Sequence, residues 1–159
     1  VTEIESDVFD NSMALNLRSM VLACKHALPG MRERRKGVII NISSIAATET
    51  YPWVGYKVAK AGILALTEQL AIQNAEYGIR CVSLAPGKID TVMAVDARAK
   101  AWGKTREEIA AERAASVPIG RQGTAWDVAN AALFMASDEA SFISGVHLRI
   151  DGAAGCRVG

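Results

Sequence analysis

Apolar and polar positions alternate along this chain in an order that predicts helix, strand, helix, strand, a charged segment, helix and strand. Val8, Phe9, Met13, Leu17, Met20, Val21 and Leu28 recur at helical spacing. Ser6 precedes them as an N-cap, with Asp7 in the first turn. The pattern fades between Pro29 and Arg34, where Arg32, Arg34, Arg35 and Lys36 suit the negative end of a helix dipole. Gly37 then opens the run Val38-Ile39-Ile40, which suits a parallel strand covered on both faces. After a loop, a helix is predicted from Tyr56 to about Tyr77, with Gly78 as its stop. Its apolar residues fall on more than one stripe, so more than one face is expected to be covered. Arg80 to Ala85 reads as the next strand, ended by Pro86-Gly87. Thr105 and Glu108 form a capping-box pattern that starts a short helix through about Ala115. Thr124 caps another through Val128, Ala131, Leu133 and Phe134, and the last strand is about Val146 to Ile150.

The 159 residues, 50% of them apolar, can form one domain with a substantial core. A formal charge of +1, with acids and bases interspersed, marks no nucleic-acid partner. No apolar run approaches the roughly 18 residues that span a bilayer, and the polar start VTEIESD has no signal-peptide pattern. Cys24, Cys81 and Cys156 are widely spaced, and read as buried or idle thiols in a reducing, cytoplasmic setting. His26 and His147 lack metal-ligand spacing and read as structural; no metal is expected.

The candidate chemistry lies between Gly37 and Leu66. Tyr56 and Lys60 are four apart, so on a helix they share one face. A phenol with a pKa of about 10 is a poor acid–base catalyst at neutral pH, and a fixed cation beside it favours the phenolate. The preceding strand ends in Asn41-Ile42-Ser43-Ser44, which delivers a hydroxyl toward an oxygen held against Tyr56. The tyrosine can then exchange a proton with that oxygen while the serine steadies its charge. A lone Y-x-x-x-K would be a weak signal; the residues around it carry the weight.

N-I-S-S closing a strand, Y-x-x-x-K-A-G opening a helix, P-G-x-I-x-T after the next strand and the late G-R-x-G…D-V-A…G…D-G series resemble the short-chain dehydrogenase/reductase family. The resemblance runs from about Glu3 to Gly152. It implies an α/β fold, a doubly wound, Rossmann-like parallel sheet, of which the C-terminal half is visible. The implied activity is hydride transfer between NAD or NADP and a secondary alcohol or ketone. Tyr56 is implied as the acid–base group, and Lys60 as the residue that lowers its pKa and binds the nicotinamide ribose. Asn16, in the M-x-x-N-L context, is implied to distort its helix and anchor a proton-relay water. Pro86, Gly87, Ile89 and Thr91 are implied to hold the nicotinamide end, Ile89 through its backbone.

Ser44 fits the family's local pattern as the catalytic serine, but it stands twelve residues before Tyr56, one fewer than is usual. Ser43 restores the separation and fits the local pattern less well; Ser44 is the expectation. Tyr51, Pro52 and Trp53 either line a substrate pocket or brace the loop. Val82 replaces a structural Asn. The segment from Met93 to Val117 corresponds to the family's lid, and its charges read as a solvated face.

The glycine turn that cradles a dinucleotide pyrophosphate is not in this sequence. The expectation is therefore a chain that continues upstream of Val1 by about a hundred residues. The alternative is a non-catalytic half-domain that persists by association, because the strand edge at Val38–Ile42 would lie open. A homo-oligomer, a dimer or tetramer, is implied through the helices Ser6–Met31 and Tyr56–Tyr77, with Ala65 and Leu70 as outward positions on the latter.

Overall fold

The structure is a computed structural model and describes residues 1–156. Three parallel strands, β1 (Gly37–Ile42), β2 (Ile79–Pro86) and β3 (His147–Ile150), form an open sheet in that spatial order. Gly37 to Ile42 pair with Ile79 to Leu84, and Ser83 to Pro86 with His147 to Ile150. Parallel neighbours require crossovers. The first is α3 (Val54–Asn74); the second runs through α4 (Asp96–Trp102), α5 (Arg106–Ala115) and α6 (Ala125–Ala136). Before the sheet come α1 (Ser6–Met13), a π-helical turn at Ala14–Arg18, and α2 (Ser19–Arg34).

Both faces of the sheet are covered, as the apolar strand sequences demand. Strand alternation sends Ile39, Ile79 and Cys81 to one side, where they pack with Cys24 and Leu28 of α2 and Leu70 and Ala71 of α3. Val82 and Leu84 point to the other side and pack with Met135 of α6 and with Ala140. Burial pushes the Cys81 thiol up to about 12 and raises that of Cys24, so both stay protonated and inert near neutrality. Between the sheet and α3 runs a polar row: Asn41, Ser83 and His147 lie side by side in register. Asn41 donates to Thr67 Oγ1 (3.0 Å), and His147 bridges Ser83 Oγ and Glu68 Oε1, 2.8 Å from each.

Several boundaries and faces differ from the sequence expectation. Ser6 is the first helical residue rather than the cap; Glu5 holds the N-cap position with extended backbone. α2 continues through Pro29 to Arg34 because Arg32 is anchored from outside, donating to Asn74 Oδ1 (2.7 Å) and lying over the Tyr77 ring. α3 begins at Val54, two residues before Tyr56, and a 3₁₀ turn through Tyr77 leads to Gly78 in the left-handed region. The charged segment holds a helix, α4, that its sequence did not announce, and Val95, Ala99 and Ile109 give it a small core.

The second face of α3 is covered by the chain itself. A Cβ on Gly55 would lie 3.0 Å from Ser12 Cβ, and one on Gly62 would lie 2.8 Å from Leu17 Cδ2. The two glycines therefore admit α1 and the π turn against α3. Leu70 is buried in the core rather than outward; Ala65 is exposed, as expected. Among the described residues no helix is long and apolar enough to cross a membrane.

Candidate active site

β1 and β2 end side by side, and Ser43 prolongs β1 by donating its N–H to Leu84 O (2.8 Å). The two serines then part, because successive side chains on extended backbone face opposite ways. Ser43 is buried and donates its hydroxyl to Lys60 O (2.8 Å), which locks the strand end to α3. Ser44 caps the 3₁₀ turn Ile45–Ala47, its Oγ accepting from the Ala46 N–H (3.2 Å). Its hydroxyl lies near enough to the Tyr56 phenol to favour the phenolate.

Tyr56 lies in the first turn of α3 with Lys60 one turn further on. Lys60 is 8% exposed; its ammonium donates to Ile42 O (2.9 Å) and sits 5.5 Å from the centroid of the Tyr56 ring. A carbonyl and a ring face thus compensate a charge drawn out of water, although burial still pushes the lysine pKa down. The phenol departs from the sequence expectation. Burial pushes its pKa up, the Ser44 hydroxyl opposes that, and Tyr51 adds to the rise, so the net direction is upward. Loss of water around the phenol outweighs a cation that is tied to Ile42.

Asn16 occupies the π turn, and its Nδ2 donates to Ser12 O (3.0 Å). The helix is distorted at the residue the resemblance implied. π turns are rare and cluster at functional sites. The contacts of Ser12 with Gly55 and of Leu17 with Gly62 bracket Asn16 along the helix pair that carries Lys60.

The loop between Ser44 and α3 is both braced and open toward the site. Lys57 donates to the carbonyls of Ala46 and Glu49, which ties the loop to the first turn of α3. The Tyr51 ring packs 5.4 Å from Tyr56 on one side and 5.4 Å from Trp53, edge-on, on the other. Trp53 remains largely exposed.

Beyond β2, the Gly87 N–H donates to Ile150 O (3.0 Å), and a Cβ there would come within 2.7 Å of Asp151 Cβ, so only glycine fits. Ile89 forms a bridge with Gly123. Its N–H is spent on Gly87 O (3.0 Å), and its carbonyl accepts from Arg113 (3.1 Å) with one lone pair to spare. Thr91 Oγ1 accepts from the Ala94 N–H (3.1 Å) and keeps its own proton to donate. The Ile89 carbonyl, the Thr91 hydroxyl and the Lys60 ammonium make a donor and acceptor set that fits a carboxamide and a ribose. The Ile89 amide is engaged within its loop, so this residue offers its carbonyl. A hollow of about 290 Å³, lined by Lys88, Ile89, Ile119, Arg121 and Asp151 among others, includes neither Tyr56 nor Lys60.

Sequence reasoning missed three basic residues around the site. Lys57 was hidden beside Tyr56, and Arg98 and Arg113 were read as part of a solvated lid face. Both arginines are half-buried: Arg98 Cζ lies 5.8 Å from the Trp53 ring, and Arg113 holds Ile89 O and Gln122. No spacing signal marks them, because α4 and α5 turn them inward only once the lid has folded.

Residues 1–154 match the family described as enoyl-(acyl carrier protein) reductase. The chain is 38% identical over 154 residues to 2-(S)-hydroxypropyl-CoM dehydrogenase 3 of Xanthobacter autotrophicus, covering 96% of this chain and 59% of that protein. It superposes with a TM-score of 0.88 and 30% identity on an oxidoreductase of the short chain dehydrogenase/reductase family from Burkholderia thailandensis, covering 99% of this chain and 60% of the other. ElxO, solved with NADP bound, superposes with the same TM-score of 0.88 at 28% identity, covering 99% of this chain and 62% of its own. The chain thus spans less than two thirds of the length of each of these relatives. With the strand, helix and loop order described above, these likenesses show that the chain belongs to the short-chain dehydrogenase/reductase family.

Proposed function

We propose that this chain is the catalytic, C-terminal half of a Rossmann-type domain that transfers hydride between NAD or NADP and a secondary alcohol or ketone. The observation that carries the reading is the Tyr56 phenol beside the Ser44 hydroxyl, with the buried Lys60 ammonium 5.5 Å from its ring centroid. The dehydrogenase and reductase relatives and NADP bound to ElxO support the reaction class and the cofactor. A preceding half of about a hundred residues would pair with the open edge of β1. A non-catalytic half-domain that persists by association with a partner is the second reading, and it rests on that same edge.

The nicotinamide, when bound, supplies the hydride acceptor or donor. Lys60 would bind its ribose, and Ile89 and Thr91 would hold its carboxamide end. Ser44 donates to the substrate oxygen and holds it against Tyr56. In oxidation the Tyr56 phenolate takes the alcohol proton as the C–H bond breaks; in reduction the phenol gives that proton to the carbonyl oxygen. Asn16, through its π turn, anchors a water that replaces the proton from the side of Lys60.

With the complete enzyme and a panel of secondary alcohols, reduction of the nicotinamide followed by absorbance tests the class. No turnover of any alcohol or ketone with either cofactor would leave the half-domain reading standing. Replacing Lys60 by Met keeps the stem and removes the charge. The expected result is weaker cofactor binding and an oxidation limb displaced to higher pH, because a nearby cation favours the phenolate that oxidation needs. A limb displaced to lower pH would contradict the role given to Lys60.

We also assign a homo-oligomer, dimer or tetramer, to exposed apolar positions one heptad apart: Val8 and Leu15 on the first helix, and Val58, Ala65 and Ile72 on α3. Leu15 and Ile72 are 77% and 73% exposed, a poor use of apolar area for a lone molecule. Ala65→Glu combined with Ile72→Glu should reduce the sedimentation coefficient toward that of a single copy, and unchanged sedimentation would reject this face. A cytoplasmic location is proposed on the buried, unpaired thiols of Cys24 and Cys81.

A further inference from the structure

The lid carries more positive charge to the mouth of the Tyr56 site than its own carboxylates neutralise. Arg98, on α4, leans on the Trp53 ring and donates Nη1 to Ala94 O of its own helix (2.7 Å). Among the described residues it has no carboxylate partner. Arg106 takes both nearby acids, Asp90 at 2.6 Å and Asp96 at 3.2 Å. Arg113 is pinned by Gln122 and Ile89 O, is repelled by Arg98, and feels Asp90 only as a carboxylate already engaged by Arg106. Three guanidinium groups therefore share two carboxylates. The surplus cation stands over Trp53, whose ring touches Tyr51, whose ring in turn lies against Tyr56. An arginine over an aromatic ring keeps N–H donors that can bind a carboxylate in bidentate fashion.

We propose that this mouth selects ketones and secondary alcohols that carry a carboxylate, which Arg98 binds over Trp53 in the field of Arg113 while the reacting oxygen reaches Tyr56. The proposal rests on the reading of Tyr56 as the proton-transfer group, and binding separates the two. Calorimetric titration of the complete enzyme, loaded with the oxidised nicotinamide, with 4-oxopentanoate and 5-oxohexanoate, each against its methyl ester, reads the preference without turnover. A hydrogen-bonded charge contributes enough that at least one acid should bind about ten- to hundred-fold more tightly than its ester. Arg98→Gln should remove that difference by weakening the acid and leaving the ester unchanged, and Arg98→Lys should restore part of it. Equal affinity of acid and ester for both chain lengths overturns the proposal. So does an Arg98→Gln variant that weakens acid and ester alike, because that marks a structural lid residue. Selective binding of the acid without turnover of either compound supports the anion site and sinks the proton-transfer reading instead.

Discussion

Tyr56→Phe in the complete enzyme is expected to lower turnover about 10²- to 10⁴-fold, the usual worth of general acid–base assistance. The ring stays packed beside Tyr51, at 5.4 Å between centroids, and over the Lys60 ammonium, so the loop and the lysine keep their places. Only the oxygen that meets Ser44 is removed. Cofactor affinity should therefore survive, as measured by fluorescence titration of the reduced nicotinamide. The pH dependence follows from the raised phenol. Oxidation needs the phenolate and should rise with pH through the Tyr56 pKa; reduction needs the phenol and should fall through the same value. Because burial raises that pKa above the ordinary tyrosine range, reduction should persist to high pH. Near-normal turnover in Tyr56→Phe would falsify the mechanism.

Ser44→Ala should cost about 10²- to 10³-fold in turnover, the scale seen when one donor to a developing oxyanion is lost. The Tyr56 limb of the pH profile should also move upward, since the Ser44 hydroxyl is what opposes burial at the phenol. Ser43→Ala provides the contrast. Its hydroxyl is spent on Lys60 O inside the sheet–helix contact, so its loss should lower stability by about 0.5–1.5 kcal/mol and leave turnover nearly intact. Stability is read from the urea midpoint, and turnover from saturating substrate. A severe kinetic effect at Ser43 beside a mild one at Ser44 would exchange their roles.

The fold class was legible because its signals are local. Buried parallel strands read as mostly apolar runs at Val38–Ile40 and at Cys81–Ala85, the latter broken only by Ser83, and the Thr105 and Thr124 caps form with Glu108 and Asp127. The π turn was legible only through the resemblance at Asn16, since no periodicity distinguishes five residues of one helix from another. Leu70 shows the limit of helical patterning. A helix with apolar residues on several stripes does not say which stripe meets the sheet, and Leu70 went to the core while Ala65 went to solvent.

The sequence by itself determined the order of the three strands and of the helices other than α4, the Tyr56–Lys60 pairing on one helix face and the glycine at the turn after β2. Each depends on backbone geometry within a few residues. The tertiary structure alone decided which serine faces Tyr56, how burial rather than Lys60 governs the phenol, and that Arg98 and Arg113 turn toward the site. Those outcomes depend on which segments exclude water and meet across the fold, through long-range packing that no short window of residues encodes.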